Sequence, residues 1–235
     1  MKYITAIGGL SVGHWTEPAA LTGCTAIICE NGAVCGVDVR GSAPGTRETD
    51  LLRGYNSVTG INAVMLCGGS AFGLDAASGA MRYLEERGLG VDVGTGVVPI
   101  VPAAVIFDLG VGDSRIRPTK DDGYAACLDA KAGVYSTGRV GVGTGATVGK
   151  AFGPKFAMSS GIGSSCIDIG GGVKIGALVA VNALGDVYNP ETGCIVAGAR
   201  DSDGFLNCMS MTSQSAAPAG FTNTTIGVIA THASL

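Results

Sequence analysis

Histidine is scarce in this chain: His14 and His232 are the only two in 235 residues. A serine–histidine–aspartate triad needs base, nucleophile and orienter together, and two isolated histidines give it little support. Charge is also sparse, with 14% Asp, Glu, Lys and Arg and a formal net charge of −4. There is no basic block of the kind that tracks a phosphate backbone, so nucleic acid is not an expected partner. No apolar run reaches the roughly 18 residues of a membrane span. The opening residues, Met1 to Ile7, carry one positive charge and a very short apolar run interrupted by Gly8 and Gly9, which does not read as a signal peptide. The eight cysteines include no CxxC pair. In a long chain without an export signal they read as reduced, buried thiols of a cytoplasmic protein. With no cysteine pairs at metal spacing, a zinc site is not expected.

What the sequence has in abundance is apolar residues, at 46%, and glycine, at 40 residues. The glycines follow no three-residue period and lie among Val, Ile and Ala, so they read as tight turns and close approaches between packed layers rather than as collagen or linker. No linker divides two composition regimes, and residues 1–235 read as one domain. Cys24–Cys29 reads as a strand, Asn31-Gly32 as a hairpin turn, and Ala33–Arg40 as its return strand. Ala63–Cys67 reads as another strand. It leads into a helix over Ala71–Arg87, with Leu74, Ala77, Met81 and Leu84 on one face and Gly88 as its stop. Val97–Leu109 is apolar but holds Pro99 and Pro102, and becomes strand-like from Ala104. Asp122–Lys131 reads as a short helix and Ile175–Val181 as a buried strand. Ser202–Gly220 reads as an exposed segment, followed by a β-rich run from Asn223 to Thr231. Helices falling between strands indicate layered α+β or α/β architecture.

Two glycine motifs come close to nucleotide-binding patterns. Gly141–Ala146 nearly fits a dinucleotide fingerprint, with Asp168 downstream, but lies mid-chain in a glycine-rich protein. Gly149-Lys150 resembles the end of a phosphate loop, yet Thr144 stands where its first glycine belongs and Ala151 where its Ser or Thr belongs. With histidine bases disfavoured, a hydroxyl can instead be activated by the free α-amine of its own residue, whose pKa near 8 suits it to act as a base. Such a residue becomes N-terminal by cleavage. Thr224 follows an exposed segment and opens a strand, and Asn223 favours turn conformations that expose the scissile carbonyl. On these residues alone, ordinary β-propensity is the better account of Thr224-Thr225.

Four blocks carry a resemblance over nearly the whole chain: Asp38–Asp50 (DVRGSAPGTRETD), Cys67–Ala76 (CGGSAFGLDA), Gly138–Lys150 (GRVGVGTGATVGK), and Asn223-Thr224-Thr225 followed by a strand. In these the chain resembles the peptidase S58 (P1, or DmpA) family, which includes L-aminopeptidase/D-esterases, β-peptidyl aminopeptidases and nylon-oligomer hydrolases. The resemblance implies an αββα sandwich, two packed sheets between helix layers. It implies autocleavage between Asn223 and Thr224 into two chains that stay associated, and a homo-oligomer such as a tetramer. It implies no cofactor, and a small peptide or amide as substrate. Carried over, Thr224 is the nucleophile and Lys150 the neighbouring lysine that keeps the Thr224 amine neutral by like-charge repulsion. Asn182 is the oxyanion-site asparagine. Whether Thr224 or Thr225 heads the second chain stays open at this level.

Three departures set this chain apart from that pattern. Phe107 stands where the family has an oxyanion tyrosine, and phenylalanine cannot donate a hydrogen bond. Val105 stands near the acid that binds a substrate amine in aminopeptidase members, which brings the chain closer to the nylon-oligomer hydrolases. Family members also continue with a C-terminal portion that lies beyond Leu235. The expected function is a self-processing amide hydrolase with an N-terminal threonine. Its rivals are an inactive scaffold of the same fold and an acyltransferase, because self-cleaving ornithine acetyltransferases share the αββα fold.

Overall fold

The structure, a computed structural model, describes residues 3–58, 60–210 and 223–233. Strands β1 (Leu10–Glu17) and β2 (Thr22–Ala33) form an antiparallel hairpin in which Leu10 opposes Cys29 and Glu17 opposes Thr22. The hairpin turn therefore spans residues 18–21, with Leu21 in the left-handed region at φ +54°. This corrects the turn expected at Asn31-Gly32. β2 runs through that dipeptide, and residues 34–45 form no strand. The cause is tertiary. Short strand β3 (Thr46–Arg47) lies in the same sheet, and β4 (Ile61–Cys67) pairs with β2 along its length. The β2–β4 register shifts between Ile28 and Ala33, so the irregularity absorbs Gly32 at φ +73° and the ladder overrides a local turn signal.

The sheet is completed by β5 (Ala103–Val105), which runs parallel to β4 and antiparallel to β3, giving the order β1-β2-β4-β5-β3. Alternation along its strands splits its side chains between two cores. Cys24, Ala26, Ile28, Met65 and Ala103 face a helix pair, α1 (Ala76–Glu85) and α2 (Lys120–Leu128). Val12, Ile27, Leu66 and Ile106 face a second sheet. That sheet contains β6 (Ile162–Asp168), β7 (Lys174–Asn182) and β8 (Thr224–Thr231), all antiparallel in the order β6-β7-β8. The described residues thus form three layers, a helix pair and two sheets. The outer face of the second sheet is open among them, with Ile167 56% and Ile229 77% exposed.

The expected helix over Ala71–Arg87 begins as a 3₁₀ turn, Ser70–Asp75, and becomes α-helical only at Ala76. Its stripe behaves as the spacing predicts: Ala77 and Leu84 are fully buried, and Leu74 and Met81 pack beside them. The second helix starts two residues earlier than the pattern suggested, because Thr119 and Asp122 form a capping box ahead of Lys120. The helices meet glycine against backbone. A Cβ on Gly79 would lie 1.7 Å from the Lys120 carbonyl oxygen, and one on Gly123 would lie 1.9 Å from that of Ala76. Gly79→Ala is therefore expected to lower stability by about 3 kcal/mol, since the helices must separate to admit a methyl group. Urea denaturation is the check, and an unchanged midpoint would refute this packing. No helix among the described residues is long and apolar enough to cross a membrane.

Candidate active site

Strand β8 opens at Thr224, directly opposite Asn182 at the end of β7. Residues opposed across an antiparallel ladder point to the same face, with Cβ atoms about 5 Å apart. Asn182 is fully buried, and Ile226 and Val228, which share the Thr224 face, pack into the core between the sheets. Thr224 therefore points inward. Thr225 opposes Val181 and is exposed on the outer face. The two-residue period of the strand separates the two threonines, of which the family resemblance favoured Thr224. Asn223, just ahead of the strand, is exposed.

Asn182 is the hub of a polar cluster. Its Nδ2 donates to the Phe107 carbonyl oxygen at 3.0 Å. Its Oδ1 accepts from the Lys150 ammonium at 2.8 Å, the Thr147 N–H at 3.1 Å and the Thr147 hydroxyl at 3.3 Å. Lys150 Nζ also donates to the Asn182 main-chain oxygen at 3.1 Å. Lys150 is brought here by Gly149, which is at φ +72° and leaves no room for a side chain, since a Cβ would lie 1.9 Å from the Ala199 nitrogen. The main-chain N–H groups of Gly149 and Lys150 then donate to Gly185 and Leu184. Burial pulls the Lys150 ammonium down to about 8, from an ordinary 10.5.

The structure thus brings together Thr224, Asn182 and Lys150. Phe107 joins them through its carbonyl oxygen, a role that its ring chemistry could not reveal. Val105 lies on the wall of a cavity of about 280 Å³ that Thr224 also lines. Its methyl group fits over Gly45, where a Cβ would come within 2.5 Å of it. Thr147 was not anticipated. Its signal was positional: it lies between the glycine-rich run and Lys150. That run is a buried 3₁₀ turn, Gly141–Thr144, packed against β2, where the Gly141 carbonyl oxygen comes within 2.5 Å of a Cβ placed on Gly23. Its glycines allow close packing against β2. Both histidines have other partners. His14 Nδ1 pairs with the Thr25 hydroxyl and its Nε2 with the Ser136 carbonyl, each at 3.0 Å, while His232 Nε2 pairs with the Gly172 carbonyl at 2.9 Å. No group of three or more His, Cys, Asp or Glu among the described residues could hold a metal ion.

Comparison with known proteins places this arrangement in context. The family model described as "Peptidase family S58" matches residues 2–235. An "uncharacterized aminopeptidase" of Mycobacterium tuberculosis is 48% identical over 202 residues, covering 82% of this chain and 56% of that protein. A "6-aminohexanoate-oligomer endohydrolase" of Kocuria sp. strain KY2 is 34% identical over 194 residues, covering 83% of this chain and 51% of that protein. This chain therefore spans about half the length of these relatives. Among solved structures, the L-aminopeptidase D-Ala-esterase/amidase of Ochrobactrum anthropi, described as a variant of the Ntn hydrolase fold, superposes with a TM-score of 0.59 at 20% identity. That match covers 78% of this chain and 53% of the other, and supports a common fold of mixed sheets and helices. The chain belongs to peptidase family S58.

Proposed function

We propose that this chain supplies the nucleophile of an amide hydrolase that first cuts its own backbone between Asn223 and Thr224. The observation that carries the reading is the register of β7 and β8, which sets Thr224 opposite Asn182 while Asn182 holds the Lys150 ammonium. In maturation the Thr224 hydroxyl attacks the Asn223 carbonyl carbon. The C–N bond breaks, the Thr224 nitrogen takes a proton to become an amine, and water hydrolyses the resulting ester. In turnover the same hydroxyl attacks a substrate amide with its own α-amine as base, the amine product leaves, and water releases the acyl group. Asn182 has two N–H donors on its amide nitrogen. Its Nδ2, which donates to the Phe107 carbonyl oxygen, is the group assigned to the tetrahedral oxyanion, a contribution typically worth about 3 kcal/mol.

The substrate class is small amides or short oligoamides bound in the cavity beneath Val105. The endohydrolase relative supports this, as does a wall that presents valine rather than a carboxylate at position 105. The reaction needs no metal or cofactor. The open apolar face of the second sheet is the seat of the second helical layer, which completes the αββα sandwich, and the protein works as a homo-oligomer. Intact mass and N-terminal sequencing of protein expressed from the complete gene test the reading. Two fragments, the second beginning at Thr224, are expected. A single uncut chain under folding conditions would sink it and leave the inactive-scaffold alternative in its place. Hydrolysis against transfer to an added amine, followed on small amides, separates the hydrolase from an acyltransferase.

A further inference from the structure

Asp108 is a buried carboxylate that the chemistry above does not use. The residue is 3% exposed. Its Oδ1 accepts the Gly69 N–H at 2.6 Å and its Oδ2 the Thr22 hydroxyl at 2.8 Å. Burial pushes its carboxyl up, and these two hydrogen bonds oppose that shift. Two glycines make room for it. A Cβ on Gly68 would lie 2.1 Å from Asp108 Oδ2, and one on Gly145 would lie 2.6 Å from both its Cβ and its Oδ2. The carboxylate therefore sits where the start of β2, the Gly68-Gly69 turn and the Gly145 segment converge.

Its own segment and one of those it touches lead directly to Asn182. The residue before Asp108 is Phe107, whose carbonyl accepts from Asn182 Nδ2. Two residues beyond Gly145 is Thr147, whose N–H donates to Asn182 Oδ1. A carboxamide that receives a donor on one side and an acceptor on the other has only one satisfied orientation. Here that orientation turns Oδ1 toward Lys150. We infer that Asp108 is a positioning residue of the active centre: by pinning the Phe107 carbonyl and the Gly145–Thr147 segment, it fixes the Asn182 amide and with it the seat of the Lys150 ammonium. The inference rests on the reading of Asn182 and Lys150 given above. A role confined to stability would need only that the three segments be tied. A positioning role requires that the Asn182 amide respond.

The test uses Asp108→Ala, which keeps neither hydrogen bond. Asp108→Asn keeps an acceptor for Gly69 and a polar group for Thr22. Self-cleavage measured well below the melting temperature should slow about 100-fold in Asp108→Ala and recover to within about tenfold of wild type in Asp108→Asn, the scale expected for a small misplacement of reacting groups. Independently of activity, ¹⁵N spectra of the Thr224→Ala protein should show a slowly exchanging Asn182 side-chain NH₂ pair. That pair should lose protection in the Asp108→Ala double variant and regain it with Asp108→Asn. If Asp108→Ala does not fold, Thr22→Val removes one tie while leaving the carboxylate, and should slow cleavage about tenfold. A lower melting temperature with unchanged Asn182 signals and unchanged cleavage overturns the inference. A wild-type chain that never cleaves, but whose Asn182 signals respond to Asp108, would refute the proposed function and uphold the positioning role.

Discussion

Thr224→Ala leaves the protein as one uncut chain and lowers amide turnover by at least about 10⁴-fold, the loss usual when an attacking hydroxyl is removed. Both effects follow from one atom, because in the proposed mechanism the same Oγ1 attacks the Asn223 carbonyl and later the substrate. Thr224→Ser keeps the hydroxyl and should cut within about tenfold of the wild-type rate, whereas alanine should show no cut in overnight incubation. The informative contrast is Thr225→Ala. Thr225 opposes Val181 and lies on the outer face of the second sheet, so its loss should leave both the cleavage position and the rate unchanged. The readout is intact mass over time for the three variants beside wild type. Cleavage that survives Thr224→Ala, or that is lost with Thr225→Ala instead, would show that the β7–β8 register does not select the nucleophile.

That contrast marks where sequence reasoning stopped. Asn-Thr-Thr opening a β-rich run could be read from the residues, but which threonine faces inward depends on pairing with a strand 42 residues earlier, Asn182 opposing Thr224. Helix α1 was legible because its stripe at Leu74, Ala77, Met81 and Leu84 is a local periodicity, and its end at Gly88, φ +68°, is a local stop. The Asn31-Gly32 turn was misread because its local preference was outweighed by the β2–β4 ladder, which no short-range signal announces. β1 and β6 went unmarked. Their alternation is diluted by Gly13, His14 and Trp15 in one and by Gly163, Ser164 and Ser165 in the other. Of the site, the side-chain candidates Thr224, Asn182 and Lys150 were named in advance and the structure gathers them. The main-chain contribution of Phe107 and the seats made by Gly68, Gly145 and Gly149 were not, because a carbonyl direction and the space a missing Cβ leaves are properties of the folded backbone.

Lys150→Met is expected to abolish self-cleavage while making the uncut chain more stable at neutral pH. In the precursor the Thr224 nitrogen is an amide and cannot act as a base, so the hydroxyl proton must go elsewhere. In the proposed mechanism Lys150, held at about 8 by burial and seated on Asn182, is assigned as that base. Once the cut is made the new α-amine takes over, and the Lys150 cation lowers the proton affinity of that amine. Because the base must be neutral, the cleavage rate should fall about tenfold per pH unit below 8 and level off above it. Methionine removes the base, and a loss of about 10³-fold or more is expected. Stability should move the other way. The folded-state pKa of Lys150 lies below its ordinary value of 10.5, so the folded chain bears the full cost of burying the charge below about pH 8. Between 8 and 10.5 the unfolded chain binds the extra proton and stability climbs with pH. Above that range the difference is gone. Because Lys150 is only partly buried, solvent screening reduces the cost to about 1 kcal/mol, or about 2–4 °C in melting temperature for a chain of this size. Melting curves of Thr224→Ala with and without Lys150→Met should therefore differ by that amount at pH 7 and converge toward pH 10.5. A methionine variant that melts lower at pH 7, or that still cuts itself, would refute this account of Lys150.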